Sequence, residues 1–218
     1  MNNGLDRSFY RETVQDCGVG DGKVIRQRGG LGVYAHVRVG IRALNRGQGT
    51  VFAWNAGLNI PAKFAAAVTQ GIQDVMNAGV SAGLELTDAC ASVEDGSYHE
   101  GDSTDDAFRE AAAKAVTEAI RQAGPVVLEA LSLVTITVPT NLGEAVKATV
   151  ALHGGEARVT TETPSRTLEA SLPASSVTNL IVDLLQISDG QAHISSRSAG
   201  FRLRLEPPDT IEEWVARK

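Results

Sequence analysis

The sequence has few of the residues that stabilise secreted scaffolds or span membranes. Its 218 residues include only two cysteines, Cys17 and Cys90, and aromatic residues make up 5% of the chain. Two thiols without a CxxC spacing match neither a disulfide framework nor a zinc site, so both are predicted to be buried as small apolar side chains. No apolar run approaches the roughly 18 residues of a membrane helix, and no secretory signal is recognisable. We therefore expect a cytoplasmic protein that does not enter a membrane.

Sequence motifs of the common catalytic and metal-binding classes are also missing. The chain has no GxxxxGK[ST] loop of P-loop NTPases, no HExxH or CxxC spacing and no GxSxG elbow. The four histidines, at positions 36, 99, 153 and 193, stand apart from one another. The sequence therefore predicts neither an enzyme nor a resident metal or cofactor.

The balance of charge argues against binding to nucleic acid over a broad basic surface. The net charge is −6, with 21% charged and 43% hydrophobic residues, which is typical of an ordinary globular protein. Proteins that neutralise many phosphates need a basic face. We expect no binding to DNA, and any contact with RNA must be local, made by shape and a few side chains.

The first half of the chain alternates predicted strands with two amphipathic helices. Helical spacing predicts one helix from Pro61 to Gly79 and a second that begins at Ser103, in a capping box with Asp106, and ends at Gly124. Alternating apolar residues predict strands at 9–14, 34–41, 50–55 and 84–93, with the third strand beside the second. Loops or a hairpin tip are expected in the glycine-rich segment 16–32, and a loop at 94–102.

The second half of the chain has a compact βαββαβ pattern, which is typical of the ferredoxin-like fold. A seam at 125–129 is expected to separate it from the first half, and an amphipathic helix at 211–217 is expected to pack back across that seam. The pattern predicts strands at 131–138, 157–163, 167–172 and 192–205, and helices at 142–152 and 175–187.

Two histidines lie in contexts that allow different roles. His36 stands on a predicted strand beside Tyr34 and is interpreted as a structural histidine. His99 lies in a segment crowded with acidic residues and is interpreted as a solvated loop residue, a recognition residue or a general base. The last role needs a partner nucleophile or a bound substrate within hydrogen-bonding reach.

Several segments together resemble the C-terminal part of translation elongation factor G. YRET at 10–13 is similar to the strand that enters the fourth domain of those factors, and RQRGGLGVYAHV at 26–37 is similar to their QSGGRGQYGHV segment. GSYHEGDSTDDAF at 96–108 resembles GSYHDVDSSELAF, and PVVLEA at 125–130 resembles PVLLEP. The segments at 60–79 and 173–192 also keep the spacing of family helices. The resemblance extends over nearly the whole chain from residue 9.

The resemblance implies an α+β protein with two domains and a short helix. Residues 1–128 would form domain IV, with the fold of the second domain of ribosomal protein S5 and its left-handed βαβ crossover. Residues 129–206 would form domain V with a ferredoxin-like βαββαβ fold, and residues 207–218 the C-terminal helix on the seam. A GTPase, and with it GTP, would belong to a domain outside this chain.

By the same resemblance, domain IV would mimic the anticodon arm of a transfer RNA. It would enter the decoding site of the small ribosomal subunit during translocation, with the ribosome and its RNA as partners of a monomeric protein. Glycines allow close approach to phosphates, and aromatic rings stack on bases. The residues implied in RNA contact belong to two loops: Gln27, Arg28, Gly29, Gly30, Leu31 and Gly32, and Ser97, Tyr98, His99 and Glu100.

Departures from the family pattern keep other functions open. Leu31 stands where the family usually has an arginine, and Glu94 and Asp95 add negative charge before the second loop. Fewer cations favour a divergent stand-alone paralogue that protects ribosomes or binds proteins, as an alternative to a housekeeping translocase. The S5-like fold also occurs in small-molecule kinases, which keeps an enzyme open on fold analogy alone.

Overall fold

The computed structural model describes residues 6–28 and 31–204, which divide into two compact units. Residues 11–127 with Arg204 form the N-terminal unit, and residues 128–203 with 6–10 form the C-terminal unit. The predicted helix at 211–217 and the pair Gly29-Gly30 lie outside the described residues. Within the described ranges, no helix has the length and apolarity needed to span a membrane.

The N-terminal unit is built on a four-stranded sheet in the order β2-β3-β5-β4. Strand β3 is antiparallel to both of its neighbours, β2 and β5, whereas β4 pairs with β5 in parallel, so β4, α1 and β5 form a βαβ unit. Its elements are β1 (Tyr10–Val14), β2 (Gly18–Arg28), β3 (Leu31–Ala43), β4 (Thr50–Trp54), α1 (Ala65–Ala78), β5 (Ala89–Ser97) and α2 (Asp105–Gln122).

The prediction that β4 lies beside β3 is wrong, because β5 separates them. The burial of the two strands explains the order. Ala91 and Val93 of β5 are buried, which suits a central strand, whereas most of β4 is exposed, which suits an edge. Strand β5 also begins later than predicted and continues to Ser97, so that only the residues after Ser97 form the loop.

The glycine-rich segment predicted as a loop is mostly a strand, because its glycines serve packing. Gly18, Gly20 and Gly22 alternate along β2 and face α2. A Cβ atom at these positions would overlap the carbonyl oxygens of residues 119, 115 and 111, respectively. Every second residue of this part of β2 therefore lies opposite every fourth residue of α2. The two backbones are too close to leave room for a side chain at these strand positions.

The helices α1 and α2 bury the apolar face of this sheet. Phe64, at the start of α1, stacks on Phe108 of α2 with ring centroids 4.5 Å apart. As predicted, Gly79 caps the C-terminal end of α1. Its φ of 75° is a conformation that glycine adopts readily. Cys90 is buried as predicted, but Cys17 is exposed, because it lies in the bend between β1 and β2 rather than on a core-facing strand position.

The predicted capping box at the start of α2 is replaced by a simpler cap. Thr104, not Ser103, is the N-cap residue, and its hydroxyl accepts a hydrogen bond from the amide of Ala107 at 3.2 Å. Asp105 and Asp106 occupy the first turn, where the positive end of the helix dipole stabilises their carboxylates. Ser103 is thereby free for a different contact, described below.

The C-terminal unit has the predicted βαββαβ order. The four strands of this pattern are antiparallel to their neighbours and lie in the order β9-β6-β8-β7, with the first and third strands of the pattern in the centre, within a sheet of five strands that also includes β1. The core joins Ile136 and Leu168 of the sheet to Leu180 and Leu184 of the last helix. Its elements are β6 (Pro125–Val138), α3 (Gly143–Leu152), β7 (Glu156–Thr161), β8 (Arg166–Pro173), α4 (Val177–Ile187) and β9 (His193–Leu203).

The predicted seam at 125–129 is not a break in secondary structure. The two units divide between Val127 and Leu128, yet β6 continues through this point as one strand. The apolar residues 126–128 keep β propensity after Pro125, which explains why no linker composition marks the boundary.

Candidate functional site

Two segments that are distant in sequence meet at one end of the N-terminal unit. The β2–β3 pairing continues outward to its last described pair, Arg28 and Leu31. Beside it, the amide of Tyr34 donates to the carbonyl of Asp102 at 2.9 Å, and the hydroxyl of Ser103 donates to the carbonyl of Tyr34 at 2.8 Å. We call the described residues 27–28, 31–34 and 97–104 the tip.

The segment after β5 is held in shape by its own hydrogen bonds. The amides of Asp102 and Ser103 donate to the carbonyl of His99 at 3.2 and 3.1 Å. The amide of His99 in turn donates to the hydroxyl of Ser103 at 2.9 Å. Gly101 has a φ of 94°, which permits the reversal of the chain. Because Ser103 also binds Tyr34, one hydroxyl fixes this loop to β3.

The imidazole of His99 is an exposed group of the tip. Its side chain is 68% exposed, and its Nδ1 lies 3.1 Å from a carboxylate oxygen of Asp102. A lone pair on Nδ1 would be repelled by that oxygen, so the contact favours a proton on Nδ1 and leaves Nε2 directed away from Asp102. The ring of Tyr34 lies edge-on to His99, with centroids 6.4 Å apart.

Ser97, one of the predicted contact residues, is half-buried, and its hydroxyl contacts neighbouring side chains of the sheet. Its Oγ lies 2.8 Å from the Tyr34 hydroxyl and 3.4 Å from Nδ1 of His36, whose Nε2 contacts Asp21 at 3.0 Å. This confirms His36 as a structural histidine. The order Asp21, His36, Ser97 is that of a catalytic triad, but the long Ser97–His36 distance and the competing tyrosine hydroxyl favour a structural chain.

The other predicted site residues are distributed over both segments of the tip. Gln27 is exposed on β2 and pairs with Gly32, where a Cβ atom would lie 2.7 Å from the Asp102 carboxylate. Tyr98 is 47% exposed. Glu100 lies in the same turn as Gly101. The structure thus brings Gln27, Gly32, Tyr98, His99 and Glu100 to one end of the unit, while Gly29 and Gly30 lie outside the described residues.

Most cations near the tip are already paired with acidic groups. Arg26 contacts both carboxylate oxygens of Glu110 at 2.6 Å, and Lys114 lies 2.9 Å from the same carboxylate. Hydrogen bonding from Lys114, followed by the interactions with Arg26, lowers the pKa of Glu110. Arg26 therefore faces α2 rather than a ligand. Lys63 forms no ion pair with any residue in the described ranges, which distinguishes it from these two cations.

A cavity of about 230 Å³ opens beside the loop that carries His99. Lys63 and Phe64, at the start of α1, form one wall, and the ammonium of Lys63 lies 4.7 Å from the centroid of the Phe64 ring. The lining residues are Pro61, Lys63, Phe64, Tyr98, His99, Glu100, Gly101 and Ser103. Among the residues that the structure describes, no group of three or more histidine, cysteine and acidic side chains is arranged to hold a metal ion.

The carboxyl of Asp95, below the tip, should make the stability of the N-terminal unit depend on pH. Hydrogen bonds from the Asn59 side chain and the Gly96 amide, at 2.8 and 2.7 Å, lower its pKa. A depressed pKa means that the carboxylate stabilises the fold at neutral pH and that this contribution disappears as the pH falls through the folded-state value. We expect Asp95→Asn to lower the urea midpoint at neutral pH, with the difference from wild type shrinking in acid. A difference that grows in acid would contradict this assignment.

The sequence of the N-terminal unit matches a known family over the region that contains the tip. Residues 9–124, just over half of the chain, match the family described as elongation factor G, domain IV. The chain belongs to the elongation factor G family. The resemblance of the YRET and GSYH segments to this family is therefore confirmed.

Two further matches extend beyond domain IV. Elongation factor G of Chlamydia caviae is 32% identical over 222 aligned residues, which cover 100% of this chain and 31% of that protein. A crystal structure from Thermus thermophilus matches with a TM-score of 0.83 at 28% identity, over 95% of this chain and 31% of that one. These matches agree with the α+β, two-domain fold. The chain spans about a third of the length of these relatives.

The sequence does not identify Lys63 as part of this elongation factor G site, and it indicates Asp102 only as an acidic neighbour of His99. Lys63 lies at the start of α1 and lines the cavity beside the tip. Asp102 follows the predicted loop residues and contacts His99. The segment at 60–79 carries a family-like helix, and its Pro61-Ala-Lys start is the one signal that would have directed attention to Lys63. No spacing rule links Asp102 to Tyr34, because the contact joins positions 68 residues apart.

Proposed function

We propose that this chain is the C-terminal module of an elongation factor G-like translation factor, whose tip contacts ribosomal RNA. In this role the N-terminal unit acts as a mimic of a transfer RNA anticodon arm and enters the decoding site of the small subunit during translocation. The module works as a monomer in the cytoplasm, and GTP hydrolysis belongs to a domain outside this chain.

The convergence of the two predicted loops carries the proposal. The backbone and side-chain hydrogen bonds among Tyr34, Asp102 and Ser103 join segments that the sequence resemblance implicated separately. A rigid end of a domain can enter a confined RNA site with little loss of conformational entropy. The exposed groups of Tyr98 and His99 suit stacking and hydrogen bonding to unpaired nucleotides.

The pairing of Arg26 and the acidic balance of the chain favour a contact made by shape more than by charge. Arg26 is occupied by Glu110, and the whole chain carries a net charge of −6. The module alone therefore binds weakly, and tethering to further ribosome-binding domains supplies the effective concentration. A low number of phosphate contacts also predicts a shallow dependence of binding on salt.

Removal of the His99 side chain tests the proposal. We expect wild-type protein to cosediment with 70S ribosomes in moderate salt, and His99→Ala to reduce the bound fraction several-fold, because the imidazole is an exposed hydrogen-bonding group of the tip. Cosedimentation followed by quantitative immunoblotting measures this. His193→Ala is the matched control, since His193 is an exposed histidine of the C-terminal unit.

Two results would contradict the proposal. One is wild-type protein that stays in the supernatant at every salt concentration, and the other is equal binding of His99→Ala and wild type. Recovery of a defined protein partner without ribosomal components would instead favour the paralogue that acts as a protein-interaction module.

A further inference from the structure

We propose that the cavity beside His99 binds one unstacked nucleotide, with its base against Tyr98 and its phosphate at Lys63. This inference rests on the proposed contact with RNA and deepens it, because it names the unit that is recognised and adds a residue from the start of α1. The cavity is bounded by residues 61–64 on one side and 98–103 on the other. Both walls belong to the N-terminal unit.

Lys63 supplies the charge that a phosphate needs. Its side chain is exposed, and no carboxylate in the described ranges pairs with it, so a ligand need not displace an internal ion pair. The Phe64 ring, 4.7 Å from the ammonium, restricts the side chain through a cation–π contact. A cation held at the wall of a cavity retains its attraction for an anion while losing less conformational freedom on binding.

Tyr98 and His99 supply surfaces for a base and a ribose. Nearly half of Tyr98 is exposed although it lines the cavity, and an exposed aromatic ring beside a cation is the usual arrangement for binding single-stranded nucleic acid. The contact of His99 Nδ1 with Asp102 leaves Nε2 as an acceptor for a hydroxyl or an amino group.

The size of the cavity limits the ligand to a single nucleotide. Its volume of about 230 Å³ lies below the range of about 300–1,000 Å³ that is typical of sites for drug-sized molecules. One base fits in such a space, with the sugar and phosphate at the mouth. A stacked helix does not enter it, so the nucleotide must be unpaired.

The carboxylate of Glu100 should repel the phosphate, so a substitution at this position is a second test, with an expected effect opposite to that at Lys63. Its side chain is exposed and lines the same cavity as Lys63. Like charges repel, so the carboxylate weakens the attraction that Lys63 provides. Replacement by the uncharged isostere should therefore tighten binding, which a site without phosphate would not show.

The experiment is a titration of the full chain with adenosine 5′-monophosphate, followed by amide resonances in ¹⁵N NMR spectra. We expect shifts at 61–64 and 98–103 at millimolar ligand, weaker binding of adenosine, and still weaker binding of inorganic phosphate. Lys63→Gln should reduce affinity for the monophosphate roughly three-fold, as for an exposed ion pair, without changing affinity for adenosine. Glu100→Gln should raise affinity for the monophosphate, and Tyr98→Ala, but not Tyr98→Phe, should remove the response.

The control and the contrary outcomes are defined by the same spectra. Lys147→Gln is the matched control, because Lys147 is a surface lysine of α3 in the C-terminal unit. No shifts at the two walls, or equal shifts with phosphate alone, would overturn the inference. If wild-type protein cosediments with ribosomes but the monophosphate has no effect, the pocket is wrong and the proposed function stands. If the monophosphate binds at the two walls but wild-type protein does not cosediment with ribosomes, the pocket is supported and the proposed function is contradicted.

Discussion

Replacing Gly20 by alanine is expected to lower the free energy of unfolding of the N-terminal unit by about 3 kcal/mol. A Cβ atom there would overlap the carbonyl oxygen of Ala115 and would also lie 2.7 Å from the amide nitrogen of Ala119. Both are backbone atoms of α2, so no side-chain rotation relieves the clash and the helix must move away from the strand. Urea denaturation followed by circular dichroism measures the loss.

The matched control for Gly20→Ala lies three residues further along the same strand. Lys23 is exposed on the opposite face of β2, so Lys23→Ala alters β propensity and chain entropy without touching α2. We expect its effect to stay within about 0.5 kcal/mol. Equal stability of Gly20→Ala and Lys23→Ala would show that the strand and helix do not approach as described.

The glycines of β2 also show where sequence reading fails. Glycine-rich stretches are most often turns, because glycine tolerates positive φ. In β2 the useful property is the missing side chain, and it appears as alternation: Gly18, Gly20 and Gly22 face the alanines at 111, 115 and 119 of α2. The two patterns have matching small residues, but the paired positions lie 89 to 101 residues apart, so the sequence alone does not reveal their pairing.

The C-terminal unit was predictable because its local patterns agree with its tertiary structure. Strand alternation at 131–138 and helical spacing at 175–187 both coincide with buried faces. The observed strand order β9-β6-β8-β7 follows from the βαββαβ pattern. The same patterns did not reveal that β6 continues across the boundary of the units, because the burial of its residues alternates only from Val134 onward.

The tip was predictable as two segments but not as a site. The family resemblance identified 27–32 and 97–100, whose described residues the structure places at the same end of the unit. It did not include Lys63, whose role depends on a cavity shared by the start of α1 and the loop after β5. Asp102, indicated by the sequence only as an acidic neighbour of His99, contacts that imidazole at 3.1 Å from three residues along the chain. The family resemblance placed Ser97 in a loop, whereas β5 extends to Ser97 and its hydroxyl lies beside that of Tyr34.

Glu12 organises the segment between α1 and β5 from a fully buried position. Its exposed fraction is 0%, and its carboxylate accepts hydrogen bonds from four backbone amides. The donors are the amides of Val80, Ser81, Ala82 and Leu84, at 3.1, 3.2, 2.5 and 3.2 Å. A segment without regular structure thus has its amide groups satisfied by one side chain, as burial requires.

Replacing Glu12 by glutamine is expected to lower the free energy of unfolding by about 3 kcal/mol. The reason is that one of the two acceptor oxygens is replaced by an amide NH2 group, which cannot accept hydrogen bonds from the backbone amides that it faces. The substitution keeps the size of the side chain, so the loss reports hydrogen bonding rather than a cavity. Urea denaturation measures the loss, and faster hydrogen exchange at 80–84 would locate it. Glu85→Gln is the control, since Glu85 is a 55% exposed partner of Arg11 and such pairs contribute at most about 1 kcal/mol. Equal effects of the two substitutions, or unchanged exchange at 80–84, would contradict the role assigned to Glu12.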